Sequence, residues 1–526
     1  MLSTRRRAAG LLFCLAATMP GAALSKPPRN FEARVESIRQ AAGTPGMAVA
    51  IVEDGRVTLA KGFGSRKLGA PEPVDADTIF LIGSTAKAMT TAALATLVDA
   101  GKLDWDDKVI DRLPGFQMYD PWVTREMTVR DLLVHRSGLG LGAGDLLYIP
   151  RGDLSRAEIV RRLRFIKPAT SFRSAYAYDN ILYIVAGQLI EAVSGEIWED
   201  YVREHLFAPA GMSASTTDEA HRLANPNRAF PHGRVGGQVR GTGPVRLLDE
   251  RDQLAAASAP AGLVAVSAND MARWLQIQLA QGALPAGGRL FSEASSKAMW
   301  TPVTPEPISS YSPALAAATP SFKAYGLGWD VSDYRGTRIV WHSGGLFGFT
   351  SIVVLIPDKK VGFAIELNGE DIEPRFGLMY ELLDHYLGLP KQDWPAKFGA
   401  FRRDRIAAAE AVVRQQAAAP AGVGPSLPLE RYTGSYSDPW YGTIAARETN
   451  GHLEVDFPHM PGLKATLDHY QYDTFRTRFN DPSMEAAYMT FALGAEGKVE
   501  RITMKPVSPI ADFSFDYQDL LFTPAQ

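Results

Sequence analysis

Ser84-Thr85-Ala86-Lys87 is the one Ser-x-x-Lys in this 526-residue chain, and its residue types and spacing carry a specific chemistry. Residues three apart on a helix share a face, so the Ser84 hydroxyl and the Lys87 amine can meet. A serine hydroxyl is a poor nucleophile at neutral pH unless a base stands beside it. A lysine stripped of water loses its proton more readily and can help serve as that base. Free backbone N–H groups at a helix start stabilise an oxyanion. Taken alone, the motif also fits a Ser84 N-cap with Lys87 solvated in the first turn. Its surroundings speak for chemistry: Ala88-Met89 through Ala100 is apolar almost all round and ends at Gly101, a C-cap signal. Lys87 thus falls on the first turn of a helix expected to be buried on most sides.

Two further clusters complement it. Tyr178-Asp179-Asn180 precedes the apolar run Ile181 to Gly187. A tyrosine near a lysine can be pushed toward the phenolate and act as a general base, and an adjacent amide can hold the lysine or orient a substrate carbonyl. By itself the cluster is equally a helix cap by Asn180 beside a packed Tyr178. Trp341-His342-Ser343-Gly344-Gly345 follows a strand pattern at 336–340. Glycines at a strand edge let a substrate approach the backbone, and an exposed N–H there can complete an oxyanion hole. His342 can donate hydrogen bonds or take part in proton transfer. In isolation it is a strand-end histidine beside a glycine turn.

The elements that must position these groups are visible in the patterning. Met47 to Val52 and Val57 to Ala60 flank Asp54-Gly55, a two-residue hairpin signal. Thr128-Val129-Arg130-Asp131 has the spacing of a capping box. Helices are expected at 155–165, 181–205 and 268–280, strands at 338–342, 350–356 and 361–366, and an amphipathic helix at 375–387. Strands at both ends with helices between predict an α+β layering, with one mixed sheet assembled from distant segments. A charged, Ala-rich helical run at 400–415 passes into Ala417-Ala418-Ala419-Pro420-Ala421-Gly422, a linker composition. Beyond it, short alternating segments with Asn450-Gly451 and Glu496-Gly497 turns predict a small antiparallel barrel or sandwich.

Composition narrows the class. The chain is 46% hydrophobic and 21% charged with a formal charge of −3, and it has no basic block beyond its N-terminus, so nucleic acid is not an expected partner. Arg5-Arg6-Arg7, the apolar run Ala8 to Ala17 and the small residues Ala23-Leu24-Ser25 read as a secretory signal over residues 1–25, too short to span a bilayer comfortably. The single cysteine, Cys14, lies inside it. The mature chain then has no disulfide, thiol chemistry or Cys-ligated metal. An exported, disulfide-free protein fits the bacterial periplasm or the cell exterior. The nine histidines are scattered, so neither a metal nor a cofactor is implied. There is no Gly-x-Ser-x-Gly elbow, His-Glu-x-x-His zinc motif or P-loop.

In their order and context, the three clusters resemble the serine β-lactamase and penicillin-binding-protein superfamily, on the side that includes class C β-lactamases, D-aminopeptidases and related esterases. That pattern is Ser-x-x-Lys, Tyr-x-Asn, then Lys-Thr-Gly or His-x-Gly, which fall here on Ser84/Lys87, Tyr178/Asn180 and His342/Gly344. Leu132 to Leu139, Gly262-Leu263-Val264 with Ser267 and Asp270, and Tyr325 to Trp329 add to the likeness, which covers roughly residues 30 to 390. The resemblance implies a mixed sheet flanked by helices with the serine helix in the middle. Ser84 would be the acylated nucleophile. Lys87 and Tyr178 would share the proton work, Asn180 would position Lys87 and substrate, and His342 would line the third wall. The N–H groups of Ser84 and Gly345 would bind the oxyanion. Residues 428–526 resemble the lipocalin-like barrel appended to some of these hydrolases, through Leu429 to Tyr436, Tyr441-Gly442, His469 and Asp473-Thr474-Phe475, with 391–427 as helical segment and linker. An accessory packing role is expected of it.

The expected activity is an exported serine hydrolase working through an acyl-enzyme on an ester, amide or peptide, with D-amino acids among the substrates to consider. No Lys-Thr-Gly occurs in the chain, and histidine is only partly charged at neutral pH, so only weak β-lactamase activity is expected. A catalytically silent protein that binds cell-wall peptides is the alternative. The subunit number is left open.

Overall fold

A computed structural model of the protein describes residues 26–251, 254–309, 312–417 and 423–525. The expected signal at 1–25 and the centre of the linker, 418–422, lie outside the described residues. The larger part of the chain is built on an eight-stranded sheet. Its strands are β1 (Gly46–Glu53), β2 (Arg56–Gly64), β3 (Thr304–Pro305), β4 (Lys323–Tyr325), β5 (Asp330–Tyr334), β6 (Thr337–Leu346), β7 (Phe349–Ile356) and β8 (Val361–Leu367), in the order β2-β1-β8-β7-β6-β5-β4-β3. The Asp54-Gly55 hairpin forms as expected, with both residues at positive φ. The sheet is assembled from distant segments, β1 pairing with β8. Every pairing in it is antiparallel, where a mixed sheet was expected. Connectivity accounts for β1–β2 and for the run from β3 to β8, whose strands pair with their neighbours in sequence, while the distant pair β1–β8 is brought together by packing.

All residues of β1, β7 and β8 are buried, because helices cover both faces of the sheet. Met47, Val49 and Ile51 meet α1 (Phe31–Ala42) and α5 (Ile372–Tyr386) on one side; Ala48, Ala50 and Val52 join the larger helical core on the other. That alternation is the period of two expected of a strand. The helical layer contains α2 (Lys87–Asp99), α3 (Ile181–Ser194) and α4 (Ala268–Leu279). Helix α2 is buried almost all round, as its composition predicts. The capping box at Thr128 forms, with Asp131 returning the hydrogen bond. The run expected to be one helix over 181–205 is broken: Gly195 adopts φ 82°, and the pieces on either side meet at 81°. Glycine terminates α3 in the left-handed conformation that other residues resist.

After α6 (Trp394–Ala417) the chain forms a closed eight-stranded antiparallel barrel: β9 (Gly434–Asp438), β10 (Gly442–Thr449), β11 (His452–Asp456), β12 (Lys464–Gln471), β13 (Thr474–Phe479), β14 (Ala487–Leu493), β15 (Val499–Pro506) and β16 (Leu521–Pro524). Closure removes the exposed sheet edges. Tyr432, Ile444, Val455, Phe475, Phe491 and Phe522 are among the buried residues that fill it. The barrel shares an apolar core cluster with the helical layer and also docks on it through polar contacts. Arg162 donates to the carbonyls of Trp440 (3.2 Å) and Tyr441 (2.6 Å), and the Asp153 N–H donates to the His459 carbonyl (3.2 Å).

Candidate active site

Ser84 sits in a single 3₁₀ turn, Gly83–Ala86, that runs directly into α2. The turn is wedged against the end of β6. A Cβ on Gly83, whose φ is +53°, would stand 2.7 Å from the Gly345 nitrogen, and one on Gly344 would stand 1.9 Å from the Ile82 carbonyl oxygen. Neither position leaves room for a side chain, so the glycines bring the strand's backbone up to the serine. Pairing of β6 with β5 ends at Trp341, which leaves the edge from His342 to Leu346 open on that side. The structure thus brings Ser84, Gly344 and Gly345 together, as the resemblance implied.

Lys87 is fully buried. Its Nζ lies 3.0 Å from Ser84 Oγ, 2.6 Å from Asn180 Oδ1 and 3.0 Å from the Ala261 carbonyl oxygen. Loss of water drives its pKa down to about 7, against the opposing pull of the Asp145 and Asp179 charges. The geometry fixes the use of the amine. A neutral amine has two N–H bonds and one lone pair. Asn180 Oδ1 and the Ala261 carbonyl can only accept, so they take the two N–H bonds and leave the lone pair facing the Ser84 hydroxyl. This is the arrangement of a general base beside its nucleophile.

Tyr178 packs over Lys87, its ring centroid 4.9 Å from Nζ. Its hydroxyl is buried without a hydrogen-bond partner, Ser84 being near enough only to draw its pKa down. Burial outweighs that effect and pushes the phenol well above its ordinary range. The residue expected to be drawn toward the phenolate is therefore a protonated phenol here. Its ring is held by His135 (4.2 Å between centroids) and meets Phe513 edge-on at 5.7 Å. His135 packs at the heart of this aromatic cluster and accepts the Asp179 N–H on Nδ1.

His342 forms part of the third wall. Its Nδ1–H donates to the Ser343 carbonyl (2.7 Å), which leaves Nε2 to accept from the Tyr325 hydroxyl (2.7 Å). Both ring nitrogens are thus engaged by the protein, and burial drives the pKa down to about 4. The proton-transfer role that the sequence allowed for His342 is not available to it at neutral pH; it is a neutral, fixed wall.

These groups open into a cavity of about 480 Å³. Sequence reasoning missed several groups in its wall and behind it. Asp145 lies behind Asn180, whose Nδ2 donates to Asp145 Oδ2 at 2.8 Å, and burial pushes the carboxyl up to about 7. Arg375, on α5, donates to the Gly344 carbonyl at 2.9 Å, while its Nε is buried and unpartnered. Among the described residues no ion pair joins Arg375 to a carboxylate, in contrast to Arg240, which pairs with Glu370 in the same cavity. The barrel contributes Asp512 to Phe515 to the lining. Gly140 to Gly144 hinted at an unusual turn around Asp145, but no local pattern marks Arg375 or the barrel residues. Among the described residues no cluster of His, Cys, Asp and Glu is arranged to hold a metal ion.

Comparison with known proteins gives the same outline. Residues 31–387 match the family model for β-lactamase, and residues 418–524 match that of a domain of unknown function, DUF3471. The chain is 31% identical over 416 residues to an unguisins hydrolase of Aspergillus campestris, covering 76% of this chain and 73% of that protein. It is 32% identical over 368 residues to penicillin-binding protein 4 of Amycolatopsis lactamdurans, covering 68% and 90%. In fold it is similar to an octameric penicillin-binding-protein homologue from Pyrococcus abyssi (TM-score 0.55, 20% identity, 90% of this chain and 97% of that one). SurE, solved also with D-Leu, is similar over 94% of this chain and 98% of its own (TM-score 0.52, 19% identity).

Proposed function

The chain belongs to the β-lactamase family, and from that premise we propose that it is an exported serine hydrolase that cleaves ester or amide substrates through an acyl-enzyme on Ser84. The observation that carries this reading is the hydrogen-bonding of Lys87, whose two fixed acceptors aim its lone pair at the Ser84 hydroxyl. In the first step Ser84 Oγ attacks the substrate carbonyl while its proton passes to Lys87 Nζ. The oxyanion so formed accepts hydrogen bonds from the N–H groups of Ser84 and Gly345, a stabilisation of about 3–4 kcal/mol per donor in comparable sites. The Tyr178 phenol, protonated and facing Ser84, passes a proton to the leaving group as the tetrahedral intermediate collapses. It regains that proton from Lys87. Water then attacks the acyl-enzyme by the reverse of these transfers and frees Ser84.

Substrate class rests on the cavity. Its lining mixes tyrosines, Trp341, Phe347 and Phe513 with a few charged groups, which suits an acyl chain or a short peptide better than a long polymer. D-Aminoacyl esters and amides lead the panel to be screened, in keeping with the D-Leu bound by SurE. A second reading, β-lactam hydrolysis at low rate, is favoured by Arg375, a cation without a carboxylate partner that could receive a substrate carboxylate. Against efficient β-lactamase activity stands His342, neutral where Lys-Thr-Gly would supply a charge.

The test is the intact mass of the purified protein after a fluorophosphonate probe, beside Ser84→Ala. The expected result is a single adduct on the wild type and none on the variant. The same spectrum reads export, since signal removal predicts a chain that begins at Lys26. A folded wild type without adduct would favour a silent binding protein.

A further inference from the structure

One wall of the cavity comes from the far end of the chain, the segment between the last two barrel strands. Phe513 closes against Tyr178, and Ser514 reaches deeper. Ser514 Oγ donates to Asp145 Oδ2 at 2.7 Å. The same oxygen accepts Asn180 Nδ2 at 2.8 Å, and Asp145 Oδ1 accepts the Tyr148 hydroxyl. Because the carboxylate can only accept, it takes the amide's Nδ2 and turns Oδ1 of Asn180 toward Lys87, where Nζ donates at 2.6 Å. Asp145 is fully buried, and a carboxylate without water depends on such donors to stay in place.

A second observation ties the same barrel segment to this turn. Asp516 accepts the Gly144 N–H at 2.7 Å and the Leu146 N–H at 3.3 Å, the residues on either side of Asp145. The barrel therefore grips both the backbone that carries Asp145 and the carboxylate itself.

We propose that Asp145 and Ser514 are positioning residues of the hydrolase: Ser514, delivered by the barrel, holds the Asp145 carboxylate, which fixes the Asn180 amide and through it the Lys87 amine. The catalytic site is thus completed across the domain boundary, and the barrel is part of the chemistry's scaffold rather than an accessory. This inference rests on the reading of Lys87 as base to Ser84.

The test uses the full-length chain as Ser514→Ala, Asp145→Asn and the double variant. The readouts are kcat and KM on an activated ester and the rate at which fluorophosphonate labels Ser84. Losing one hydrogen bond to a buried carboxylate predicts a fall of about ten- to a hundredfold in kcat and in labelling rate for Ser514→Ala, with KM within about twofold. If Ser514 acts through Asp145, adding Ser514→Ala to Asp145→Asn costs nothing more. Wild-type kcat in Ser514→Ala, or losses that multiply in the double variant, would overturn the proposal. Should the alanine variant not fold, Ser514→Cys, close to isosteric and a weaker donor, takes its place: reduced kcat supports the proposal and wild-type kcat overturns it. A wild type that fails to label at Ser84 would instead remove the underlying reading, so the two failures are distinguishable.

Discussion

At the scale of single residues, the site works by removing water from charge. Lys87 falls to about 7 because it is buried, while Tyr178 is pushed the other way by the same burial. On the proposed mechanism their division of labour follows: the amine takes a proton near neutrality, and the phenol gives one. The sign of the pH dependence is fixed by this. Below about 7 the Lys87 amine is charged and has no lone pair for Ser84, so kcat/KM on a non-ionising ester should rise with pH and level off above an apparent pKa near 7. Asp145 is held in the same range and interacts with Lys87, so the measured limb belongs to the pair. A rate profile flat across this range would contradict the assignment of Lys87 as base. Ser84 and Lys87 were legible because a polar pair at helical spacing stood at the head of an apolar run. Arg375 was not, since a lone arginine in a first helical turn carries no signal of the carbonyl it will meet.

At the scale of elements, the site is a contact between one turn and one strand edge. The turn Gly83–Ala86 and the strand β6 approach so closely that Gly344 has its Cβ position occupied by the Ile82 carbonyl oxygen. Backbone cannot move aside as a flexible side chain would. Gly344→Ala should therefore separate β6 from the serine turn, costing roughly 2 kcal/mol or more of stability and most of the activity. Thermal melting and ester hydrolysis measured together check this; an alanine variant with wild-type melting and turnover would show that the contact tolerates a side chain after all. Much of this architecture was legible. The hairpin at 46–64, the capping box at Thr128 and the strands near 338–366 follow from turn residues and apolar alternation. The break at Gly195 was hidden because the apolar pattern continues into Trp198 and Tyr201, and one glycine does not by itself announce a bend. The antiparallel sense of the sheet was also hidden, since pairing between β1 and β8 is set by packing across some three hundred residues rather than by local pattern.

At the scale of the whole molecule, buried carboxyls set the response to pH. Asp145 is raised to about 7 and Glu366 to about 8, and Asp516 is raised well above the ordinary range, in each case chiefly by burial. Each binds its proton more tightly in the folded chain than in the unfolded one. Their stabilisation is full below the unfolded values near 4 and is lost as pH rises through the folded ones. Glu158, held near 2 by Arg161 and Arg162, titrates below this window. The histidines that burial lowers, His342 to about 4 and His135, His232 and His459 also, work in the opposite sense up to their ordinary value near 6.5, and Lys87 does so above about 7. The melting temperature should thus fall between about pH 6.5 and 8, where the histidines are neutral in both states, while activity rises through the lower part of that interval. Calorimetry across that range checks it, and a melting temperature that climbs with pH would contradict it. The barrel itself was legible from its alternating strands and turns. Its docking was not, because it relies on backbone carbonyls such as those of Trp440 and Tyr441 and on loop side chains that have no periodicity to read.

The hydrogen bond between Asp145 and Ser514 joins residues 369 apart in the chain. Ser84 and Lys87 precede the barrel in the chain, and the domains of a larger protein generally fold as units. The cavity lacks the wall formed by Asp512 to Phe515 until the segment between the last two barrel strands is in place. On the positioning proposed above, a chain whose barrel has yet to form carries Ser84 without a fully held base, so the ordering of the amine waits on the part of the chain that comes last to the site.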